Sequence, residues 1–246
     1  MEIYKNDMKN KNILITGASS GIGKATAFYL AEQGANVILV ARREKELREI
    51  ASKLGKSAKY YVCDLENKDE ISGVFEFCRK QNILLNGFVH SAGIAAPVPV
   101  RIAGYESTEK MIKVNTLSFM ELSKYFYQKK YSKTGSSIVA ISSMAAVRPF
   151  AGQASYAASK AALNAMVKVM AQEFLKRKIR VNAIMPSYVD TPMVEDGVAY
   201  GMNNDIEQMP LGVIDPKQIA YLTEFLLSDK AVHITGAEIP VTSGVC

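Results

Sequence analysis

Short apolar runs alternate with longer amphipathic runs along nearly the whole chain, and this alternation constrains the fold more than any other feature. Apolar runs of this length, almost without polar interruption, are typical of strands buried on both faces of a sheet. Strands that alternate with helices are connected by right-handed crossovers and form a parallel sheet covered on both sides. The pattern therefore predicts an α/β fold with a doubly wound parallel sheet.

The predicted strands are, in chain order, Asn12–Thr16, Asn36–Ala41, a segment ending near Cys63, Gly87–His90, Ser136–Ser142, Ile179–Met185 and Glu238–Val241. The predicted helices are Gly21–Gln33, Glu44–Leu54, Lys68–Gln81, Glu106–Tyr131, Ser155–Lys178 and Pro216–Leu227. No repeat or linker divides the chain, so we expect one domain over residues 1–246. Residues 1–10 read as a loose lead-in, and residues 187–212 as a long loop that covers the substrate.

Composition narrows the classes of function. The chain has 246 residues, of which 48% are hydrophobic and 22% are charged, which suits one large domain. Its three cysteines and two histidines show no metal-binding spacing, so no metal is expected. The net charge is +6, but the basic residues are scattered and form no concentrated nucleic-acid face. No apolar run is long enough to span a bilayer, and we expect a cytoplasmic protein without a membrane partner.

A glycine-rich turn follows the first predicted strand and opens the first predicted helix. Its sequence is TGASSGIG, from Thr16 to Gly23. Such a turn lets the backbone approach a pyrophosphate, and the helix N-terminus offers N–H groups and partial positive charge. The glycine spacing differs from G-x-G-x-x-G, so an ordinary tight turn is the alternative. Its position in the first strand–turn–helix unit favours a dinucleotide site formed by Gly17, Ser19, Ser20, Gly21, Ile22 and Gly23.

The end of the second predicted strand carries arginines where a cofactor site of this type often has an acid. Ala41 stands near the position that would bind the adenosine ribose, and Arg42 and Arg43 follow it. Guanidinium groups without an acid favour a 2′-phosphate and thus predict NADP, whereas solvated arginines at a helix start are the alternative. Asp64, followed by Leu65, closes the third strand and is expected either to meet the adenine or to cap a turn.

Tyr156 and Lys160 are one helical turn apart within ASYAASKAA, a segment otherwise made of small residues. Positions i and i+4 lie on one face of a helix. Lowering the pKa of a tyrosine from about 10 to about 7 takes about 4 kcal/mol. One ammonium at about 4 Å, in an effective dielectric of about 20, supplies about that much. We therefore expect Lys160 to make Tyr156 an acid–base catalyst, the alternative being an ordinary surface pair.

Two further polar residues extend this candidate site. Ser143 ends the fifth predicted strand, and its hydroxyl can donate to a carbonyl oxygen as charge develops there. Asn115 lies among apolar neighbours in the long predicted helix, where it can hold a water.

At these residues the sequence resembles the short-chain dehydrogenase/reductase family. The resemblance covers almost the whole chain and includes TGASSGIG, CDL, SAG, YAASK and ITGAEIPVTSG. It implies a Rossmann-like fold of about seven strands. It also implies a catalytic tetrad of Asn115, Ser143, Tyr156 and Lys160. It further implies that the cofactor is contacted by Ser91, Ala92, Gly93, Tyr156, Lys160 and the segment Pro186–Thr191, including Pro186, Val189 and Thr191.

Four positions depart from the family's pattern. Ser91 replaces the usual Asn, and Ser187 replaces a Gly after the sixth strand. Val213 replaces an Arg at the end of the predicted loop, and Ser243 replaces the first Gly of a Gly–Gly pair. None of them belongs to the tetrad, but the last two, Val213 and Ser243, weaken the assignment to any single substrate class.

The resemblance implies an oxidoreductase that transfers a hydride between NADPH and a carbonyl or secondary alcohol. The branch it resembles most is the 3-oxoacyl–acyl-carrier-protein reductases. The alternatives are a sugar, steroid or polyol dehydrogenase and a non-catalytic dinucleotide sensor, although such sensors lose the tyrosine or the lysine. In that reductase branch, a basic residue docks the acidic carrier, and Arg177 stands at its position in this chain. Lys129, Lys130 and Lys133 of this chain form a second basic segment.

The family usually assembles through its two long helices before and after the fifth strand. We therefore predict a homotetramer, with a dimer as the second choice. The second of these helices would contribute the apolar residues Ala161, Leu163, Ala165, Met166, Val169, Met170 and Phe174.

Overall fold

A computed structural model of the chain describes residues 7–194 and 209–244. Seven strands in these residues form one parallel sheet with the order β3-β2-β1-β4-β5-β6-β7. The strands are β1 (Asn12–Thr16), β2 (Asn36–Ala41), β3 (Ala58–Val62), β4 (Leu85–His90), β5 (Ser132–Ile141), β6 (Arg180–Pro186) and β7 (Glu238–Val241). The order reverses between β1 and β4, which opens a crevice at the carboxyl ends of the strands. The predicted doubly wound parallel sheet is confirmed.

Helices cover both faces of the sheet. They are α1 (Gly21–Glu32), α2 (Glu44–Leu54), α3 (Lys68–Lys80), α4 (Tyr105–Ile112), α5 (Ser118–Phe126), α6 (Ala154–Glu173) and α7 (Pro216–Leu227). Successive strand residues point to opposite faces. Thus Ile13 and Ile15 pack with α1, α2 and α7, whereas Leu14 packs in the other core with α3, α5 and α6.

The long helix predicted over Glu106–Tyr131 is interrupted and shorter than expected. A π-helical turn, Lys113–Leu117, joins α4 to α5, and α5 ends at Phe126. Tyr131 leaves the helix and is buried in the core, where its hydroxyl donates to Glu76 Oε1 at 2.5 Å. Apolar periodicity cannot reveal a single π turn, because it changes the helical phase only locally.

The central strands begin earlier than the apolar pattern predicted. β4 starts at Leu85 rather than Gly87, and β5 starts at Ser132 rather than Ser136. Leu85 pairs with Ser132, and the register shifts before Gly87 pairs with Ser137. The polar segment at the start of β5 is therefore held in the sheet by strand pairing and not by apolar side chains.

The predicted assembly residues of α6 divide into two groups. Leu163, Met170 and Phe174 are buried in the core of this chain, so their assignment to a subunit interface is wrong. Their periodicity reflects packing on the sheet. The side of α6 that faces outward carries Ala161, Ala165 and Val169, with Met166 half-buried.

The two predicted irregular segments have different outcomes. The prediction that residues 1–10 are loosely held is wrong for the last of them. Met8 is fully buried, and the Asn10 N–H donates to the Gly34 carbonyl at 2.9 Å. The predicted covering loop, 187–212, lies largely outside the described residues. In its described ends, Val189 forms a bridge with Ile214 and Met209 is buried. Its role over the substrate stays a prediction.

Candidate active site

A cavity of about 400 Å³ lies at the carboxyl edge of the sheet, where the strand order reverses. Its walls come from the turn after β1, the ends of β2 to β6 and the start of α6. The sequence-predicted residues that line it are Gly17, Ser19, Ser20, Gly21, Ile22, Arg42, Arg43, Asp64, Leu65, Ser91, Ala92, Gly93, Ser143, Tyr156, Lys160, Pro186, Val189 and Thr191. Gly23 and Asn115 are absent from the lining and support it from behind.

The turn between β1 and α1 requires glycine at two positions. Gly17 has φ +66°, and a Cβ there would lie 2.7 Å from Ser91 O and Ala92 N. A Cβ on Gly23 would lie 2.4 Å from the carbonyl oxygen of Gly17. Both contacts are impossible for a real side chain, so Gly17 allows the turn to pack against the segment after β4, and Gly23 allows α1 to pack against the turn itself.

The N-terminus of α1 opens into the cavity without a cap. Its N-cap residue, Ser20, makes no side-chain capping hydrogen bond, and the first turn contains no acidic residue. The first N–H groups of a helix have no partner within the helix, and the helix dipole adds partial positive charge there. This geometry fits the pyrophosphate of a dinucleotide.

The two arginines after β2 stand at one end of the cavity. Arg43 donates from Nη2 and Nε to Ser19 Oγ at 2.9 and 3.2 Å, which ties it to the glycine-rich turn. It also lies 3.9 Å from Glu46. Arg42 is exposed and lines the cavity. With the apolar Ala41 as the last residue of β2, this end of the site presents guanidinium groups and no strand-terminal acid.

Asp64 shapes the turn after β3. Its Oδ1 accepts from the Glu66 N–H at 3.1 Å, and its own N–H donates to Glu70 Oε2 at 2.8 Å. In the structure Asp64 therefore caps a turn, which is the second of its two expected roles. Asp64 also lines the cavity, so an adenine contact stays a prediction.

Tyr156 and Lys160 lie on one face of the first turns of α6, beneath the end of β5. The Lys160 ammonium is 5.8 Å from the centroid of the Tyr156 ring and donates to the Ile141 carbonyl at 2.8 Å. Lys160 is only 4% exposed. Burial lowers the pKa of Lys160 to about 8. Tyr156 is half-buried in the wall of the cavity, so the two residues are not an ordinary surface pair.

The prediction that Lys160 lowers the pKa of Tyr156 is wrong for the protein without its cofactor. Burial raises the pKa of Tyr156, and a hydrogen bond with Ser143 opposes that rise. The ammonium does not dominate because it is bound to the Ile141 carbonyl rather than to the phenol oxygen. Tyr156 is therefore a protonated phenol at neutral pH, held next to the Ser143 hydroxyl.

Asn115 is fully buried on the π-helical turn. Its Oδ1 accepts from the Ile94 N–H at 2.8 Å, and its Nδ2 donates to Ile94 O and Ser159 Oγ at 2.9 and 3.0 Å. Both amide N–H groups are thus used within the protein. The side chain ties Ile94, in the loop after β4, to Ser159 on α6. That Asn115 holds a water stays a prediction.

Gly93 keeps the space between the buried polar groups open. A Cβ at this position would lie 3.4 Å from both Asn115 Oδ1 and Lys160 Nζ. No sequence pattern could indicate the Ile141 carbonyl as the partner of Lys160, because every residue has a carbonyl. It also did not indicate Ser159, whose hydroxyl donates to Tyr156 O at 2.7 Å.

Arg177 does not offer a docking surface, contrary to what the resemblance implied. Its guanidinium is buried and donates to Ser132 O at 2.6 Å, to Ser132 Oγ at 3.1 Å and to the Tyr127 carbonyl. These groups belong to the turn between α5 and β5. Arg177 therefore ties the end of α6 to that segment. Its Nε has no hydrogen-bond partner among the described residues, but the side chain is buried and so cannot reach a partner's acid.

Two departures from the family's pattern have visible consequences. Ser243 has φ +51°, a left-handed conformation that is strained for a residue other than glycine. The Ser187 N–H donates to the Val241 carbonyl at 2.9 Å, and its buried hydroxyl has no hydrogen-bond partner among the described residues. Ser187 lines the cavity that also contains Ser143, Tyr156 and Lys160, whereas Ser243 lies beyond the edge strand β7.

The described residues contain neither a metal-binding cluster nor a membrane-spanning helix. Residues 7–194 and 209–244 contain no group of three or more His, Cys, Asp or Glu side chains arranged to hold a metal ion. In the same residues, no helix combines the length and the apolar composition needed to cross a membrane.

Comparison with known proteins bears on nearly the whole chain. Residues 17–246 match a family model described as enoyl-(acyl carrier protein) reductase. The chain is 32% identical over 240 residues to the 3-oxoacyl-[acyl-carrier-protein] reductase FabG of Rickettsia prowazekii, covering 97% of this chain and 98% of that protein. It is also 32% identical over 244 residues to the 2,5-dichloro-2,5-cyclohexadiene-1,4-diol dehydrogenase LinX of Sphingobium indicum, with 97% of each chain covered.

Solved structures agree with these sequence matches. A short-chain dehydrogenase/reductase (glucose/ribitol dehydrogenase) from Brucella melitensis superposes with a TM-score of 0.92 at 28% identity, with 99% of each chain covered. A short-chain type dehydrogenase/reductase from Mycobacterium ulcerans gives a TM-score of 0.89 at 27% identity, covering 97% of this chain and 90% of that one.

Proposed function

We propose that this chain, which belongs to the short-chain dehydrogenase/reductase family, is an NADPH-dependent reductase of a carbonyl group, or a dehydrogenase of the matching alcohol. As a member of this family it is an oxidoreductase of CH–OH groups that uses an NAD(P) cofactor. The observation that carries the proposal is the enclosed group of Ser143, Tyr156 and Lys160, in a cavity that begins at the uncapped N-terminus of α1.

Different residues of the chain bind the cofactor and transfer the proton. The glycine-rich turn and α1 hold the pyrophosphate, and Lys160 holds the nicotinamide ribose. When bound, the cofactor supplies the hydride that reduces the carbonyl carbon. Tyr156 donates its phenolic proton to the substrate oxygen, while Ser143 donates a hydrogen bond to the same oxygen as charge develops on it.

The protonation states suit Tyr156 as the proton donor in the reduction step. Burial raises the pKa of Tyr156, so the phenol carries its proton at neutral pH and is ready to donate it. Burial lowers the pKa of Lys160 to about 8, so this lysine can release a proton near neutral pH more readily than a solvated lysine. Lys160 is then able to return a proton to Tyr156, with Asn115 holding the surrounding backbone in place.

The preference for NADPH over NADH rests on Arg42 and Arg43. Both line the cavity at the end of β2, and Arg43 is already directed at Ser19 of the glycine-rich turn. Charge-assisted hydrogen bonds from guanidinium to phosphate are favoured over contacts with a neutral hydroxyl. The ion pair of Arg43 with Glu46 is long, at 3.9 Å, and leaves Arg43 able to turn toward a phosphate.

For the substrate we propose a 3-oxoacyl group carried on acyl carrier protein, as in the relatives named FabG. Since Arg177 is buried, the carrier's acidic surface must meet other basic residues, and Lys129, Lys130 and Lys133 remain the candidates. A dehydrogenase of sugars, steroids or polyols is the second candidate, favoured by the likeness to LinX, whose name gives a cyclic diol as its substrate. A non-catalytic sensor is disfavoured, because Tyr156 and Lys160 are both present and enclosed together.

We further propose a homotetramer, with a dimer as the alternative, in the cytoplasm. The support is an outward apolar surface on α5, α6 and the π turn, where Leu117, Met120 and Val169 are exposed by 42%, 43% and 53%. Apolar side chains on two neighbouring helices suit an isologous contact between two copies. Light scattering at micromolar concentration tests this, and a mass of 27.0 kDa, that of one chain, would contradict it.

The function is tested by following NADPH or NADH consumption with a panel of carbonyl compounds. The panel contains a 3-oxoacyl thioester, a 3-oxoacyl carrier protein, a sugar ketone, a steroid ketone and a cyclic ketone. We expect turnover with NADPH to exceed turnover with NADH, and the 3-oxoacyl compounds to be the best substrates. Turnover confined to cyclic or sugar ketones would move the assignment to the second candidate, and no turnover with tight NADPH binding would favour the sensor.

A further inference from the structure

Ser159 is a fully buried residue of α6 that lies between Tyr156 and Lys160 in the sequence but does not line the cavity. Its hydroxyl donates to the Tyr156 carbonyl at 2.7 Å and accepts from Asn115 Nδ2 at 3.0 Å. Its own carbonyl accepts from the Thr116 hydroxyl at 2.8 Å. Two side chains of the π-helical turn are therefore bound to α6 at this one residue.

The direction of each hydrogen bond is fixed by its partners. Asn115 Oδ1 accepts from the Ile94 N–H at 2.8 Å, so Nδ2 is the end of the amide that faces Ser159. A carbonyl oxygen can only accept, so the single hydrogen of the Ser159 hydroxyl goes to Tyr156 O. The hydroxyl oxygen is then left to accept from Asn115, whose other amide hydrogen goes to Ile94 O at 2.9 Å. Each donor at this contact thus has its own acceptor.

A second contact lies one helical turn nearer the start of α6. The hydroxyls of Ser155 and Thr108 are 2.7 Å apart, which joins α6 to α4. Ser155 and Ser159 are four residues apart and therefore share one face of α6. Tyr156 and Lys160 each follow one of these serines, and successive residues of a helix are about 100° apart around its axis. The serine contacts thus set the rotation of α6 at which the tyrosine and the lysine line the cavity.

We infer that Ser159 is a positioning residue for the proposed reaction, which fixes the first two turns of α6 against the π-helical turn. This inference rests on the proposed function. Because Ser159 does not line the cavity, it acts through Tyr156 and Lys160. Removal of its hydroxyl leaves a buried N–H of Asn115 without an acceptor, which is unfavourable, so the amide or the helix must shift. A misplacement of about 1 Å at a catalytic group is enough to lower a rate about a hundredfold.

Three substitutions test this role. Ser159→Ala removes both hydrogen bonds of the hydroxyl, and Ser159→Thr keeps them, because a threonine in a helix bonds the carbonyl of the preceding turn in the same way. Thr116→Val removes the other bond from the π-helical turn and keeps the shape of the side chain. The matched control is Ser123→Ala. Ser123 is also a fully buried serine in a helix away from the cavity, but its hydroxyl has no hydrogen-bond partner among the described residues.

We expect Ser159→Ala to lower kcat by about ten- to a hundredfold, the range for a displaced catalytic geometry. Its affinity for NADPH should stay within about threefold, since the glycine-rich turn is untouched and a merely destabilised enzyme would lose both together. Thr116→Val should lower kcat by a few-fold, whereas Ser159→Thr and Ser123→Ala should resemble the wild type.

Three results would overturn the inference. They are an unchanged kcat in Ser159→Ala, an equal loss of kcat and NADPH affinity in that variant, and a folded Ser159→Thr enzyme that is as slow as Ser159→Ala. If either variant of Ser159 fails to fold, Thr116→Val decides in its place, and a kcat equal to that of the wild type would then overturn the inference.

A second measurement does not depend on turnover. Hydrogen–deuterium exchange followed by mass spectrometry reports how well the backbone N–H groups of residues 157–163 are protected. We expect faster exchange in this segment for Ser159→Ala than for the wild type, and no change there for Ser123→Ala. Unchanged exchange in Ser159→Ala would overturn the inference. If the wild type reduces no compound of the panel, the proposed function fails, while the exchange still decides whether Ser159 fixes the start of α6.

Discussion

The two ends of the cavity are built differently. At the end proposed to be catalytic, Lys160 is 4% exposed and Asn115 is fully buried, and both bind backbone groups of neighbouring strands and loops. At the other end, the side chain of Arg43 is 51% exposed and its partners are a serine hydroxyl and a glutamate. Charges in a buried site interact strongly, whereas exposed charges are screened by water and salt. Changes at the buried end should therefore act on the rate, and changes at the exposed end on affinity.

The largest effect is expected from Tyr156→Phe, which removes the proton donor and keeps the ring. Turnover should fall by about 10²–10⁴-fold, the contribution typical of general acid–base catalysis. NADPH binding, followed by fluorescence titration, should stay near normal. Tyr221→Phe, on the outer surface of α7, is the matched control and should leave turnover unchanged. Substantial activity in Tyr156→Phe would sink the role proposed for the phenol.

Next in size is Arg42→Ala, which tests the exposed end. Charge-assisted hydrogen bonds contribute about 1.5–3 kcal/mol, so the Kd for NADPH should rise about ten- to a hundredfold. The Kd for NADH and the turnover at saturating NADPH should change little. Arg79→Ala, on α3, is the control. The interpretation of this end is wrong if the unmodified protein already binds NADH more tightly than NADPH.

A smaller effect, on stability, is expected from Lys160→Met. Burial lowers the pKa of Lys160 to about 8, below its unfolded value, so the folded protein holds the ammonium at a cost at pH 7. A shift of that size corresponds to about 3 kcal/mol. The variant avoids it but leaves the Ile141 carbonyl without its partner, which costs about 1–3 kcal/mol. The inactive variant should thus be as stable as the wild type, or more stable by up to about 2 kcal/mol.

The dependence of the free energy of unfolding on pH tests the sign of this effect. The wild-type penalty is complete below pH 8 and disappears as the pH rises from about 8 to the unfolded value of about 10.4. Any advantage of Lys160→Met in urea unfolding at pH 7 should therefore shrink by pH 10. Lys168→Met, on the exposed side of the same helix, should show no such dependence. A Lys160→Met variant that is much less stable than the wild type at pH 7 would show that the ammonium stabilises the fold.

The smallest expected effect is that of salt, which should act differently on the two ends of the cavity. Screening lengths fall from about 10 Å at 0.1 M to about 3 Å at 1 M. Raising NaCl across this range should weaken NADPH binding by a few-fold, through the exposed arginines. The kcat at saturating cofactor should change by less than about twofold, because the buried end is hardly screened. Equal loss in both quantities would show that the two ends are not electrostatically distinct.

The sequence alone determined the features that depend on neighbouring residues. Alternating apolar and amphipathic runs predicted all seven strands of the sheet, and the glycines after β1 predicted the turn that faces the cavity. The spacing of Tyr156 and Lys160 predicted their common face, because helical geometry fixes which side chains are neighbours within one turn. Eighteen of the residues predicted for the site line a single cavity, since parallel strands end at the same edge.

Only the tertiary structure decided what those side chains bind and how deeply they are buried. Lys160 binds a carbonyl on β5, Arg177 turns inward onto Ser132, and His90 meets Thr16 from another strand. These partners are distant in sequence, and several are backbone groups that every residue possesses. Burial, and with it the direction of each pKa shift, is set by all the atoms packed around a group. A sequence pattern contains the local neighbours of a residue but not this sum, which is why the pKa of Tyr156 rises where the spacing alone predicted that it would fall.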